Sequence, residues 1–175
     1  MKMKTLLLCL VGLFCFAGMQ AQENTIGLLS YKQSKSFDGY NLIYPHRQPT
    51  VFLLDNCGEV VHQWLGEPGT VPGNTAYLMP NGNLVRTLRP ANAASDPIFA
   101  GGGGATVEIK TWDNEVIWEY TQNDADARLH HDIAIKENGN ILMIVWNFMS
   151  EADAIQAGRN PDLINHGAVW PEKII

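Results

Sequence analysis

Disulfides are the first thing this sequence does without. It holds 3 cysteines in 175 residues, and Cys9 and Cys15 fall in an N-terminal stretch that reads as a removable leader, which leaves Cys57 alone. One thiol cannot staple a fold internally, so the core must hold by packing. Positive charge is scarce as well. Lys and Arg number 12 against 18 Asp and Glu, for a formal net charge of −6, which argues against nucleic acid and against an anionic membrane surface as partners. Low-complexity sequence is confined to the four glycines at 101–104. That tract lacks the GxGxxG spacing and the flanking helix of a dinucleotide site, so a nucleotide- or quinone-dependent enzyme is poorly supported. No cofactor and no metal is expected.

The leader itself is well marked. Lys2 and Lys4 form a short basic region, residues 6–17 are almost unbroken apolar sequence, and small and polar residues follow, with cleavage expected after Ala21. Such a run is too short for a stable transmembrane helix. The expectation is a signal peptide at 1–21 and a protein exported to the periplasm or beyond, with no membrane attachment after cleavage. The competing reading is an uncleaved anchor; neither leader cysteine sits in a convincing lipobox.

What is present is a repeat. VFLLDNCGEVVHQW (51–64) followed by TAYLMPNGNLVRT (75–87) matches VEIKTWDNEVIWEY (107–120) followed by HHDIAIKENGNILMIVW (130–146). Glu59 recurs as Glu115 and Asn81 as Asn138, at nearly the same offset. Repeats at this spacing point to solenoids, propellers or arrays. Val107, Ile109 and Thr111 alternate with Glu108, Lys110 and Trp112, and the runs are rich in β-branched and aromatic residues, so they read as strands. Asn-Gly at 81–82 and at 138–139 predicts hairpins, and the Asp-Asn segments predict a second tight turn. Four antiparallel strands per unit make a propeller blade.

The expected fold is therefore all-β, a β-propeller. The strand entering each Asn-Gly-Asn is innermost and the strands ending at Trp64 and Tyr120 are outermost. Residues 40–44 supply a second strand lacking its own first, and the closing VWPEKII supplies the third strand of the next unit. About two blades' worth of strand leaves open edges, which aggregate. Residues 22–175 are accordingly expected to be the N-terminal portion of a larger propeller, and continuation of the reading frame past Ile175 would test this. An intact smaller sandwich is the competing architecture.

Antiparallel order puts the tight turns on one side and the long loops (46–49, 65–74, 88–104, 121–129 and 147–167) on the other, where sites usually sit. All five arginines (Arg47, Arg86, Arg89, Arg128, Arg159) and four of five histidines (His46, His130, His131, His166) fall in or beside those loops. In an acidic chain this suggests a face that receives an anion, because the guanidinium fork matches oxyanions; arginine's liking for exposure is the plainer explanation. Ser150, Asp153 and Gly158 predict a short helix over 151–157, which could simply plug one end of the funnel.

Arg128-Leu-His-His-Asp132 carries the most chemistry. It enters an innermost strand, so it borders the centre. Strand alternation lets His130 and Asp132 share an environment while His131 faces away, and argues against a metal held by both rings unless a bulge intervenes. An Asp near a His can fix its tautomer for acid–base work, although a structural histidine pair is an equal alternative. The stretches HHDIAIKENGNIL, WDNEVIWEY and AVWPEKII together resemble the bacterial arylsulfotransferase (aryl-sulfate sulfotransferase) family. That resemblance implies a six-bladed propeller with its site in the central funnel. It also implies nucleotide-independent transfer of a sulfuryl group from a phenolic sulfate ester to a phenol, through a transiently sulfated histidine assisted by other histidines and an arginine. Carried onto this sequence, it makes His131 and His130 sulfate-contacting or acid–base groups. Position alone adds Arg128 and His166 as substrate-binding residues. No segment here matches the family's nucleophile, which is expected outside this chain. A non-catalytic exported propeller that binds a ligand or protein on its long-loop face is the competing function.

Overall fold

Turn chemistry decides where each strand of this chain ends. The computed structural model describes residues 27–92, 97–98 and 101–175, so the leader reading at 1–21 lies outside the described residues. The chain divides into two compact units, Met1–Phe37 and Asp38–Ile175. In the first, the described residues are exposed or nearly so and hold one 3-10 turn, Gln33–Lys35.

The second unit is built of antiparallel sheets. The first sheet runs β1 (Asn41–Ile43), β2 (Val51–Leu54), β3 (Val60–Trp64). The next is a four-stranded meander of β4 (Thr70–Leu78), β5 (Leu84–Pro90), β6 (Thr106–Lys110) and β7 (Val116–Thr121), paired in sequence order. Then come β8 (Ala127–Ile135) and β9 (Ile141–Asn147), a small ribbon of β10 (Met149–Ser150) and β11 (Ala168–Val169), and β12 (Glu172–Ile174), which pairs with β9. The expected pairing order is present: Asn41–Ile43 pairs with β2, and within the closing segment Glu172–Ile174 pairs with β9, while Val169 belongs to the β10–β11 ribbon. The chain is all-β; among the described residues no sheet closes on itself, and no helix is long and apolar enough to cross a membrane.

The repeated turns are built alike. Gly82 and Gly139 both take positive φ, at 84° and 85°. In each turn the preceding Asn side chain accepts from the backbone two residues on, at 3.1 Å (Asn81 to Asn83, Asn138 to Asn140). In the other turn, Asp55 Oδ1 accepts from Cys57 N at 2.8 Å and Glu59 N at 2.9 Å, while in the next unit Thr111 Oγ1 takes over by accepting from Glu115 N at 3.1 Å.

Period-two alternation then sorts the core into two inter-sheet layers. Leu84 joins Val51, Leu53 and Trp64 of the first sheet, whereas its neighbour Val85 joins Val107 and, from the third sheet, Leu129, Ile133, Met143 and Val145. Each such buried side chain contributes roughly 1.5–3 kcal/mol. Sheets are also clasped through hydrogen bonds. Trp64 Nε1 donates to Thr111 O at 3.1 Å, and the Asn114 amide accepts from Leu65 N at 2.7 Å and donates to Gln63 O at 3.1 Å. The helix α1 (Glu151–Gln156) is capped by Ser150, whose Oγ accepts from Asp153 N at 3.2 Å, and Ala157 serves as its C-cap rather than its last turn.

Candidate functional site

The histidine pair sits on a break in β8. Its ladder with β9 runs to Leu129↔Val145 and resumes at Ile133↔Met143, so three residues of β8 oppose one of β9. His131 lies in this bulge with φ 52°. The expected alternation therefore fails at this point. His131 does not face away from its neighbour: the two Nδ1 atoms stand 2.9 Å apart, with ring planes at 88°. Among the described residues no group of three or more His, Cys, Asp or Glu is placed to hold a metal ion.

The two rings live in different surroundings. His130 is 4% exposed and stacks on Trp146 at 4.2 Å and 12°. Its Nε2 is buried with no hydrogen-bond partner. Burial, reinforced by His131 and opposed by Glu172, holds its pKa below the ordinary histidine value. His131 is exposed. One proton is shared between the two Nδ1 atoms. Placing it on His130 leaves only a lone pair, not an N–H, stranded at His130 Nε2, and gives His131 an Nε2–H. In that form His131 presents a hydrogen-bond donor at Nε2, not a nucleophile.

A pH dependence follows from His130. Its folded pKa is depressed, so between the unfolded value near 6.5 and the folded value the unfolded chain binds more protons, and stability falls as pH drops through that window. Unfolding midpoints measured across the window should decline, and His130→Phe, which keeps the stack on Trp146, should flatten the decline. An unchanged slope in the variant would assign it to other groups.

The glycines at 101–104 find their role here. A Cβ on Gly102, whose φ is 80°, would lie 2.3 Å from His131 Nε2, and one on Gly103 would lie 2.3 Å from Arg128 Nη2. Gly102 O accepts from His131 N at 2.8 Å and from Asn74 Nδ2 at 2.5 Å, while Gly104 N donates to Leu129 O at 2.8 Å. Bare backbone is what lets the loop run between the ring and the guanidinium.

Other expected residues are placed differently. Arg128 is 1% exposed; its Nε donates to Gly104 O at 2.9 Å and its Nη1 to Ile98 O, so it supports the loop from below. Arg86 is fully buried and paired with Glu108. Both are strand residues, because β5 reaches Pro90 and β8 already begins at Ala127, and this removes two arginines from the expected anion-receiving face. Arg47 and Arg159 are exposed, and Arg89 is half-buried. Asp132 does not orient a histidine. Its Oδ1 accepts from Tyr77 OH and from Ile133 N, both at 2.8 Å. His166 is exposed just ahead of β11 and makes no described hydrogen bond or ring contact with the pair. A recess of about 630 Å3 follows β4 and β8 toward the Asn-Gly turns and is lined by Tyr77, Met79, Ile133 and Ile135 rather than by the histidines.

Sequence reasoning missed Asn74, Tyr77, Gly102 and Trp146. Only the repeat offset could have found Asn74, which stands to His131 as Asn81 stands to Asn138. Comparison with protein-family models, with curated proteins and with solved structures returned no match for this chain.

Proposed function

We propose that this chain is part of an exported β-propeller aryl-sulfate sulfotransferase, periplasmic or extracellular, acting on a phenolic sulfate ester and a phenol without a nucleotide. The supporting observation is the His130–His131 pair, bonded Nδ1 to Nδ1 and held over Gly102 at the entry to an inner strand. In the reaction the ester S–O bond breaks as an N–S bond forms to a histidine. The acceptor phenol oxygen then attacks sulfur, forming the new S–O bond as the N–S bond breaks; the freed histidine nitrogen takes the phenol's proton. His131, with an N–H at Nε2, suits hydrogen bonding to the sulfuryl oxygens and to the departing phenolate oxygen, which takes its proton from solvent. His130, kept neutral by burial, holds that tautomer by donating its Nδ1–H to His131 Nδ1. The proposal places the histidine that carries the sulfuryl group apart from His130 and His131, in further blades of the complete gene product.

The complete gene product should release phenol from an aryl sulfate in an acceptor-dependent way, and His131→Ala should slow it about 10²–10³-fold, as expected for loss of an oxyanion donor. No transfer, or an undiminished rate in the variant, would sink the proposal. One observation favours a non-catalytic propeller that binds a ligand or protein on the same face: Arg86 and Arg128 are buried supports. That reading predicts sulfate perturbation at His131 without turnover.

A further inference from the structure

Both inner strands break their ladders at the same place. β4 pairs with β5 up to Pro72↔Leu88 and again from Ala76↔Arg86, while β8 pairs with β9 up to Leu129↔Val145 and again from Ile133↔Met143. Each of these positions is offset from its counterpart by the same spacing that separates Asn81 from Asn138. The skipped residues are Gly73, Asn74 and Thr75 in one strand and His130, His131 and Asp132 in the other. Asn74 is therefore the first repeat's equivalent of His131.

The backbone agrees with that pairing. Asn74 and His131 both take positive φ, at 113° and 52°, and both are exposed. Gly73, the counterpart of His130, has no room for a side chain, since a Cβ there would lie 2.9 Å from Leu88 backbone. The two bulges meet at one atom. Asn74 Nδ2 and His131 N both donate to Gly102 O, at 2.5 Å and 2.8 Å. The inner strands are joined a second time by Tyr77 OH on Asp132 Oδ1 at 2.8 Å.

We propose that Asn74 is a positioning residue for His131. Its amide fixes the Gly102 carbonyl from which the second bulge hangs, and Gly102 in turn sets the plane of the His131 ring. Neither repeat makes the site alone. The inference rests on the proposed function only in taking His131 as the group that meets sulfate.

Asn74→Gly tests it, since glycine accepts the positive φ of this position without strain. Asn74→Asp keeps the volume but sets a carboxylate oxygen against the Gly102 carbonyl. The first readout needs no ligand: nitrogen and proton resonances of the two imidazoles, followed across pH. Wild type should show one dominant His131 tautomer, held by the Nδ1–Nδ1 bond to His130. Both variants should show a changed His131 tautomer ratio, with dispersed spectra confirming the fold. The second readout is titration with inorganic sulfate at His131, which should weaken about tenfold in Asn74→Gly, the scale of one lost hydrogen bond. Wild-type imidazole behaviour in both variants would overturn the inference. A wild-type chain blind to sulfate, together with altered imidazoles in the variants, would uphold Asn74 and count against the sulfotransferase reading.

Discussion

Replacing Arg86 by Leu should cost about 3–5 kcal/mol in urea unfolding, because it strands a carboxylate in the interior. Arg86 is fully buried and Glu108 is 2% exposed. Arg86 Nε donates to Glu108 Oε1 at 2.7 Å, and Nη2 lies 2.6 Å from the same oxygen. The rest of the guanidinium reaches across to the first sheet. Nη1 donates to Pro49 O at 2.5 Å and Nη2 to Leu65 O at 3.0 Å. Lys110 Nζ also donates to Leu65 O, at 2.6 Å, and its pKa is held down by burial and then by Arg86, against the pull of Glu108 and Glu67. Without Arg86, Glu108 keeps one partly compensating cation, and three carbonyls lose a donor. The pair itself need not stabilise the fold, since its Coulomb gain is offset by desolvation. Arg86→Leu combined with Glu108→Leu should therefore be less destabilised than Arg86→Leu alone. A single variant that loses under about 1 kcal/mol, or a double variant as unstable as the single, would refute this account.

The same residue shows what the sequence can and cannot convey. Turns are legible because their chemistry is local: Asn81 and Asn138 bond the backbone two residues on, and Gly82 and Gly139 accept positive φ. The helix is legible for the same reason, through the Ser150 cap. The strand order follows from alternation and short connections. Arg86 and Arg128 are misplaced by sequence reasoning because a polar residue near a predicted loop looks exposed. Only tertiary pairing reveals that one meets Glu108 and the other the carbonyls of the glycine loop. The bulge at His131 is illegible because register depends on the partner strand, which the local pattern does not contain. Glycines at 101–104 look like low complexity. The demand for space at Gly102 and Gly103 comes from His131 and Arg128, which lie in the later strand β8 and not in their own loop.

Gly102→Ala should therefore disable the site while Gly101→Ala leaves it intact. At Gly102 two penalties coincide. Its φ of 80° is one that alanine adopts only with strain, of order 1 kcal/mol. The new Cβ would also lie 2.3 Å from His131 Nε2 and 2.4 Å from Cε1. Contact at ordinary van der Waals distance requires the ring or the loop to move by more than an ångström. Turning the ring breaks the Nδ1–Nδ1 bond with His130; moving the loop breaks the two hydrogen bonds on Gly102 O. Either way His131 leaves its position. A Cβ on Gly101 meets nothing within 4 Å, and its φ is not in the left-handed region, so Gly101→Ala is a matched control expected within about 0.5 kcal/mol of wild type. Gly102→Ala should lose about 1–2 kcal/mol by denaturant unfolding, and its His131 resonances should move to those of an unpaired imidazole. Under the proposed function, turnover of an aryl sulfate by Gly102→Ala should fall to within about tenfold of the His131→Ala level, because both changes remove the same donor. Wild-type His131 resonances in Gly102→Ala would mean that the loop yields freely, and that the glycine tract does not hold the histidine in place.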